Sequence, residues 1–132
     1  MRANSTFVTG IWLLMSAPIL ADPAALASPS WVKVSEGDNK AETSFLDTSS
    51  VRIGGEIRRY WLRTDFVNGP KGWKQVRALQ EDNCETDMTR VVAANFYYND
   101  GSVKSVRNDN ADWEYIAPGT VAAIQHKAVC TL

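Results

Sequence analysis

Hydrophobic and polar residues alternate along most of the chain beyond residue 30, and a period of two predicts strands. Trp31-Val32-Lys33-Val34-Ser35 suits a first strand, Glu36 to Glu42 a polar loop, and Ser44-Phe45-Leu46-Asp47 a short second strand before a turn at Thr48-Ser49-Ser50. Val51-Arg52-Ile53 then runs into Gly54-Gly55, a two-glycine hairpin signal. The pattern is clearest from Glu56 to Phe66. There Tyr60, Leu62, Thr64 and Phe66 make one face, and Arg59, Trp61, Arg63 and Asp65 the other. Asn68-Gly69-Pro70-Lys71-Gly72 is a turn cluster, because Gly and Pro supply the backbone angles a turn needs. It leads into a strand from Trp73 through Leu79 toward Cys84. Another strand spans Met88 to Tyr98, with Met88, Val92, Phe96 and Tyr98 on one side, and Asn99-Asp100-Gly101 turns it into Ser102 to Val106. Sequential short strands separated by turns predict an antiparallel meander.

The period changes at the end of the chain. Ala117-Pro118-Gly119-Thr120 precedes Val121 to Val129, an Ala-rich stretch that reads as a helix with Thr120 as its cap. Val121, Ile124 and Ala128 form a narrow apolar stripe expected to lie on the sheet. Cys130 falls nearly opposite that stripe. The last turn is therefore expected to unwind, or the helix to be met from its flank. The fold class is α+β.

The first 27 residues contrast with all of this. Arg2 is followed by an uncharged apolar run from Phe7 to Leu20 and then by small residues, with Ala25-Leu26-Ala27 as an A-x-A cleavage site and Ala21 as a second one. A run of about fourteen residues is short against the ~20 that a membrane-spanning helix needs. Residues 1–27 therefore read as a secretory signal peptide and residues 28–132 as one exported domain, periplasmic or secreted, with no membrane span once the signal is removed. Export also fixes the redox reading. Cys84 and Cys130 are the only cysteines, and a pair in an exported chain forms a disulfide. Closing a loop of about 47 residues contributes ~4 kcal/mol by chain entropy.

Composition excludes more than it identifies. Of 132 residues, 45% are hydrophobic and 22% charged, with a formal net charge of −1, which argues against disorder and against a general attraction to nucleic acid. One His and two Cys leave too few ligands for structural zinc. No G-x-S-x-G, Walker pattern or EF-hand spacing occurs. His126 is read as a solvated helix residue, and the acids Glu81, Asp82, Glu85 and Asp87 around Cys84 as a solvated loop. No enzyme, metal or cofactor is expected.

The residues also carry a family resemblance. Trp31, Ser44-Phe45-Leu46-Asp47 with Ser50-Val51, Gly55 and Trp61-Leu62 stand in an order that continues through Asn83-Cys84, Tyr97-Tyr98, Asp100-Gly101, Trp113, Pro118-Gly119-Thr120 and Val129-Cys130. This order resembles the surface-adhesin protein E family of exported proteobacterial proteins, over about residues 31–131. The resemblance implies a sheet of about six strands, a C-terminal helix held on it through Cys84 and Cys130, and a capacity for homodimers. It implies adhesion to macromolecules. The chain departs from the lipid-anchored members, because no Cys stands near either cleavage site. A periplasmic structural or accessory role in the envelope is therefore the alternative.

Charge layout narrows the search for a surface. Between Arg52 and Arg77 stand seven basic residues and two acidic ones, and between Glu81 and Glu114 eight acidic and three basic. If the turn at 68–72 pairs its strands without a bulge, Arg59, Trp61, Arg63, Trp73 and Arg77 share one face. Trp and Arg together are enriched in binding hot spots. That face is the candidate binding surface, with a protein or an acidic polymer as partner, unless the helix or a second copy covers its tryptophans.

Overall fold

The computed structural model describes residues 28–132. The expected signal peptide and both cleavage sites fall on residues 1–27, outside the described residues. Short turns join each long strand to the next, so antiparallel pairing follows. The strands are β1 (Trp31–Glu36), β2 (Glu42–Asp47), β3 (Arg52–Gly54), β4 (Ile57–Phe66), β5 (Trp73–Asn83), β6 (Met88–Tyr98), β7 (Val103–Arg107) and β8 (Glu114–Tyr115), followed by the helix α1 (Val121–Cys130).

The sheet has eight strands where about six were expected, and its main path runs β1-β2-β4-β5-β6-β7. The two extra strands do not widen it. β2 pairs with residues 62–66 of β4 while β3 pairs with residues 57–59, so the two lie end to end along one edge. In the same way β7 takes residues 93–97 of β6 and β8 takes 88–89. The step from β2 to β3 is made by a capped turn. Asp47 accepts hydrogen bonds from the Ser49 amide (3.0 Å) and hydroxyl (2.6 Å) and from the Ser30 amide (2.9 Å).

Bulges decide which side chains meet. The register shifts between Trp73 and Gln75 and again between Leu79 and Gln80. The second shift places Met88 opposite Asn83, while Phe96 lies opposite Val76, so Met88 and Phe96 do not share the face that alternation assigned them. The turn before β5 needs a glycine. A Cβ on Gly69 would stand 2.6 Å from Phe66 Cβ and press on the Trp73 carbonyl.

Helix α1 begins where expected, with Thr120 Oγ1 accepting from the Ala123 amide at 3.2 Å. The face it buries is another one. His126 and Val129 are buried and Ile124 is 53% exposed, so the Val121, Ile124 and Ala128 stripe is not the packing face. Val129 completes a core with Leu46, Tyr60 and Leu62, and Val34, Val51 and Cys130 pack against it. Once His126 and Val129 point inward, Cys130 adjoins the buried side. The helix therefore keeps its last turn, and Cys130 bonds Cys84 across a Cα separation of 5.6 Å. No helix among the described residues is long and apolar enough to cross a membrane.

Candidate functional site

The sheet has two unlike faces. One carries Tyr60, Leu62 and Asp82 and lies under α1. The other carries Arg59, Trp61, Arg63, Arg77 and Leu79, and α1 does not reach it.

Under the helix sits the one histidine, buried rather than solvated. Its Nδ1 lies 2.8 Å from Asp82 Oδ2 and its Nε2 3.0 Å from Asp87 Oδ1. Asp82, 1% exposed, also accepts from the Tyr60 hydroxyl at 3.0 Å and the Thr89 hydroxyl at 2.7 Å. The acidic run is therefore not one solvated loop: Glu85 and Asp87 are exposed in the turn, Asp82 is a core residue, and Glu81 pairs with Arg90 at 2.8 Å. Burial, followed by the charge and hydrogen bond of Asp82, holds the Tyr60 hydroxyl far above the ordinary phenol range. His126 projects from α1 with both ring nitrogens engaged by carboxylates, one from β5 and one from the turn after it. The cluster clamps the helix. Among the described residues, no group of His, Cys, Asp and Glu is arranged to hold a metal ion.

The open face is built differently. A cleft of about 520 Å³ crosses it, within the ~300–1,000 Å³ range of small-ligand pockets. Its walls and floor include Trp31, Trp61, Tyr97 and Leu79, with Arg52, Arg59, Arg77, Asn95 and Ser49 among the polar groups. Strand register explains the assembly. Trp61 lies opposite Leu79, Arg63 opposite Arg77, and Arg77 opposite Asn95, all with side chains on one side.

Of the five residues expected to share this face, four do. Arg59, Trp61 and Arg77 line the cleft. Arg63 is on the same face but is occupied. Its guanidinium stacks 4.3 Å from the Phe45 ring and 5.1 Å from the Trp31 ring, and it donates to Asp65 at 3.2 Å. Trp73 is not with them. The bulge beside it turns the indole to the helix-side face, where it packs 6.0 Å from Phe66 and 5.0 Å from Phe96. The condition of an unbulged hairpin fails at that residue. The helix covers neither Trp61 nor its strand neighbours on the open side. Sequence reading missed Trp31, Tyr97 and Arg52. Trp31 carried the one available signal, an aromatic at the start of a strand destined for the same sheet.

Arg77 is held in place. Its guanidinium lies 5.9 Å from the Trp31 ring and 5.3 Å from the Tyr97 ring, and its Nε donates to Gln75 Oε1 at 2.8 Å. Gln75 is fixed in turn by donating to Asp65 at 2.8 Å. Among the described residues, no carboxylate oxygen lies within 4.0 Å of the Arg52, Arg59 or Arg77 guanidinium. The cleft thus combines aromatic walls with cations that have no carboxylate partner, and its one lining carboxylate, Asp47, accepts from Ser30 and Ser49.

The model of a family described as surface-adhesin protein E matches residues 31–131. Two crystal structures of protein E from Haemophilus influenzae have a similar fold. Crystal form II is 17% identical with a TM-score of 0.56, covering 85% of this chain and 94% of that one. The selenomethionine form is also 17% identical at 0.56, covering 85% and 93%. No curated protein matches the chain.

Proposed function

We propose an adhesive, non-enzymatic function for this chain, which belongs to the surface-adhesin protein E family. The domain acts outside the cytoplasm as a binding module, and its working surface is the open face of the sheet. Acidic macromolecules are its partners. The observation that carries this reading is the set of guanidinium groups without carboxylate partners, Arg52, Arg59 and Arg77, grouped around Trp61 on the face that α1 leaves uncovered. Arginine beside an aromatic supplies both charge and a stackable plane, each contact contributing ~0.5–2 kcal/mol.

The test uses residues 28–132 in the oxidised state and immobilised heparin as a defined acidic polymer. Trp61→Ala combined with Arg59→Glu is expected to release the protein at markedly lower salt than wild type, with an unchanged melting temperature. Retention equal to wild type contradicts the reading. So does a melting temperature that falls in step with retention, because the two side chains would then be structural. Fractionation separates adhesion from an accessory role in the envelope, since a protein confined to the periplasm meets no external partner.

A further inference from the structure

We infer that the cleft on the open face is a two-point anion site for an acidic sugar, a disaccharide-sized ligand with one acid group on each ring. The inference rests on the proposed adhesive reading of the same face and names the chemistry it would recognise. Its two points are Arg77 and Arg59. Arg77 lies opposite Arg63, four residues along β4 from Arg59, so an offset of ~13 Å along the strand and one strand spacing of ~5 Å put the two backbones about 14 Å apart. Both side chains line the one cleft, and a ligand two linked rings long is of the size that would meet both there. Trp61 and Leu79, cross-strand partners, lie between the two arginines and offer an apolar platform to a ring face.

Each arginine is prepared for an external anion. The Arg77 guanidinium is flanked by Trp31 and Tyr97, and Gln75 holds its Nε at 2.8 Å, so its outer Nη edge remains for a bidentate acceptor. The acids that could neutralise the pair are committed elsewhere. Glu81, the cross-strand partner of Arg59, is bound by Arg90 at 2.8 Å. Asp109, whose carboxyl feels the Arg59 charge, is bound by Arg107 at 3.0 Å. Asp65 is taken by Arg63 and Gln75, and Asp47 by Ser30 and Ser49. Asn95 accepts from the Ser105 hydroxyl at 2.7 Å through its carbonyl, which leaves its amide hydrogens as donors for a ring hydroxyl. Two acids bridged by a ring with apolar faces and polar edges match this layout. A single acid reaches only one arginine.

Calorimetry with a sulfated uronate disaccharide, carrying one carboxylate and one sulfate, tests the assignment. The same titration is run with glucuronate and with a neutral disaccharide. Wild type is expected to bind the acidic disaccharide at least tenfold more tightly than glucuronate and to leave the neutral sugar unbound. Arg59→Gln and Arg77→Gln should each weaken the disaccharide about tenfold, and the double variant about a hundredfold, at unchanged melting temperature. Among the described residues no aromatic ring stacks on Arg59, so its variant keeps the test open if Arg77→Gln disturbs folding. Equal affinity for neutral and acidic disaccharides overturns the inference, as does a disaccharide affinity indifferent to both substitutions. If wild type retains heparin but ignores the disaccharide, the two-point site is wrong and the broader face remains the binding surface. Loss of both interactions removes the site and the adhesive reading together.

Discussion

A carboxylate that is 1% exposed has to find donors inside the protein, and Asp82 finds them in Tyr60, Thr89 and the His126 ring. Tyr60→Phe removes one donor to a buried charge without adding bulk, and a loss of about 2 kcal/mol in unfolding free energy is expected from chemical denaturation. The tyrosine also sets an alkaline limit. Its hydroxyl pKa is raised in the fold, so the folded chain keeps a proton that the unfolded chain releases above about pH 10. The corresponding stability is intact below that pH and declines as pH rises through it. Absorbance titration at alkaline pH should show Tyr60 ionising only with loss of native circular dichroism, and an ionisation that precedes unfolding contradicts the burial argument. None of this chemistry was legible from the sequence. His126 looked solvated because helix periodicity ranks apolar residues, and the carboxylate that buries it lies 44 positions away.

At the level of elements, the strands were the legible part. Tyr60 and Leu62 alternate with Arg59, Trp61 and Arg63 because one sheet face is dry and the other wet, and a period of two records that directly. Bulges leave no such record. One extra residue near Leu79 reversed the side assigned to Met88, and one near Trp73 carried its indole to the opposite face. Helix α1 starts where its cap predicts but buries a different face from the apolar stripe. Ile124 and Val129 are both apolar, and what selects Val129 is a neighbouring cysteine tied to Cys84 and a histidine tied to Asp82. A pair of substitutions reads that rotation. Val129→Ala should cost about 2 kcal/mol, from lost burial and the cavity left behind, whereas Ile124→Ala should stay within about 0.5 kcal/mol. Equal effects would mean the helix lies on the stripe that periodicity suggested. Replacing both cysteines by alanine should cost about 4 kcal/mol, since the bridge closes a loop spanning 46 positions.

Across the whole molecule, chemistry is divided between two sides of one sheet. The helix side uses its titratable groups on one another, through Tyr60, Asp82, His126 and Asp87. The open side keeps arginines whose neighbouring acids are already paired, and a cleft whose walls are aromatic. The net charge of −1 conceals this, because the basic excess between Arg52 and Arg77 and the acidic excess between Glu81 and Glu114 cancel. Binding that depends on such a local surplus should weaken steeply with salt, and raising ionic strength from 0.05 to 0.5 M, which shortens the screening length from more than ~10 Å to less than ~8 Å, should release an acidic polymer. The most direct measurement is amide and indole chemical-shift mapping of the oxidised 28–132 domain with an acidic polysaccharide added. Shifts confined to the cleft, at Trp31, Arg59, Trp61, Arg77, Leu79, Asn95 and Tyr97, with α1 unchanged, are the predicted result. Shifts centred on α1, or none at saturating polymer, would contradict it.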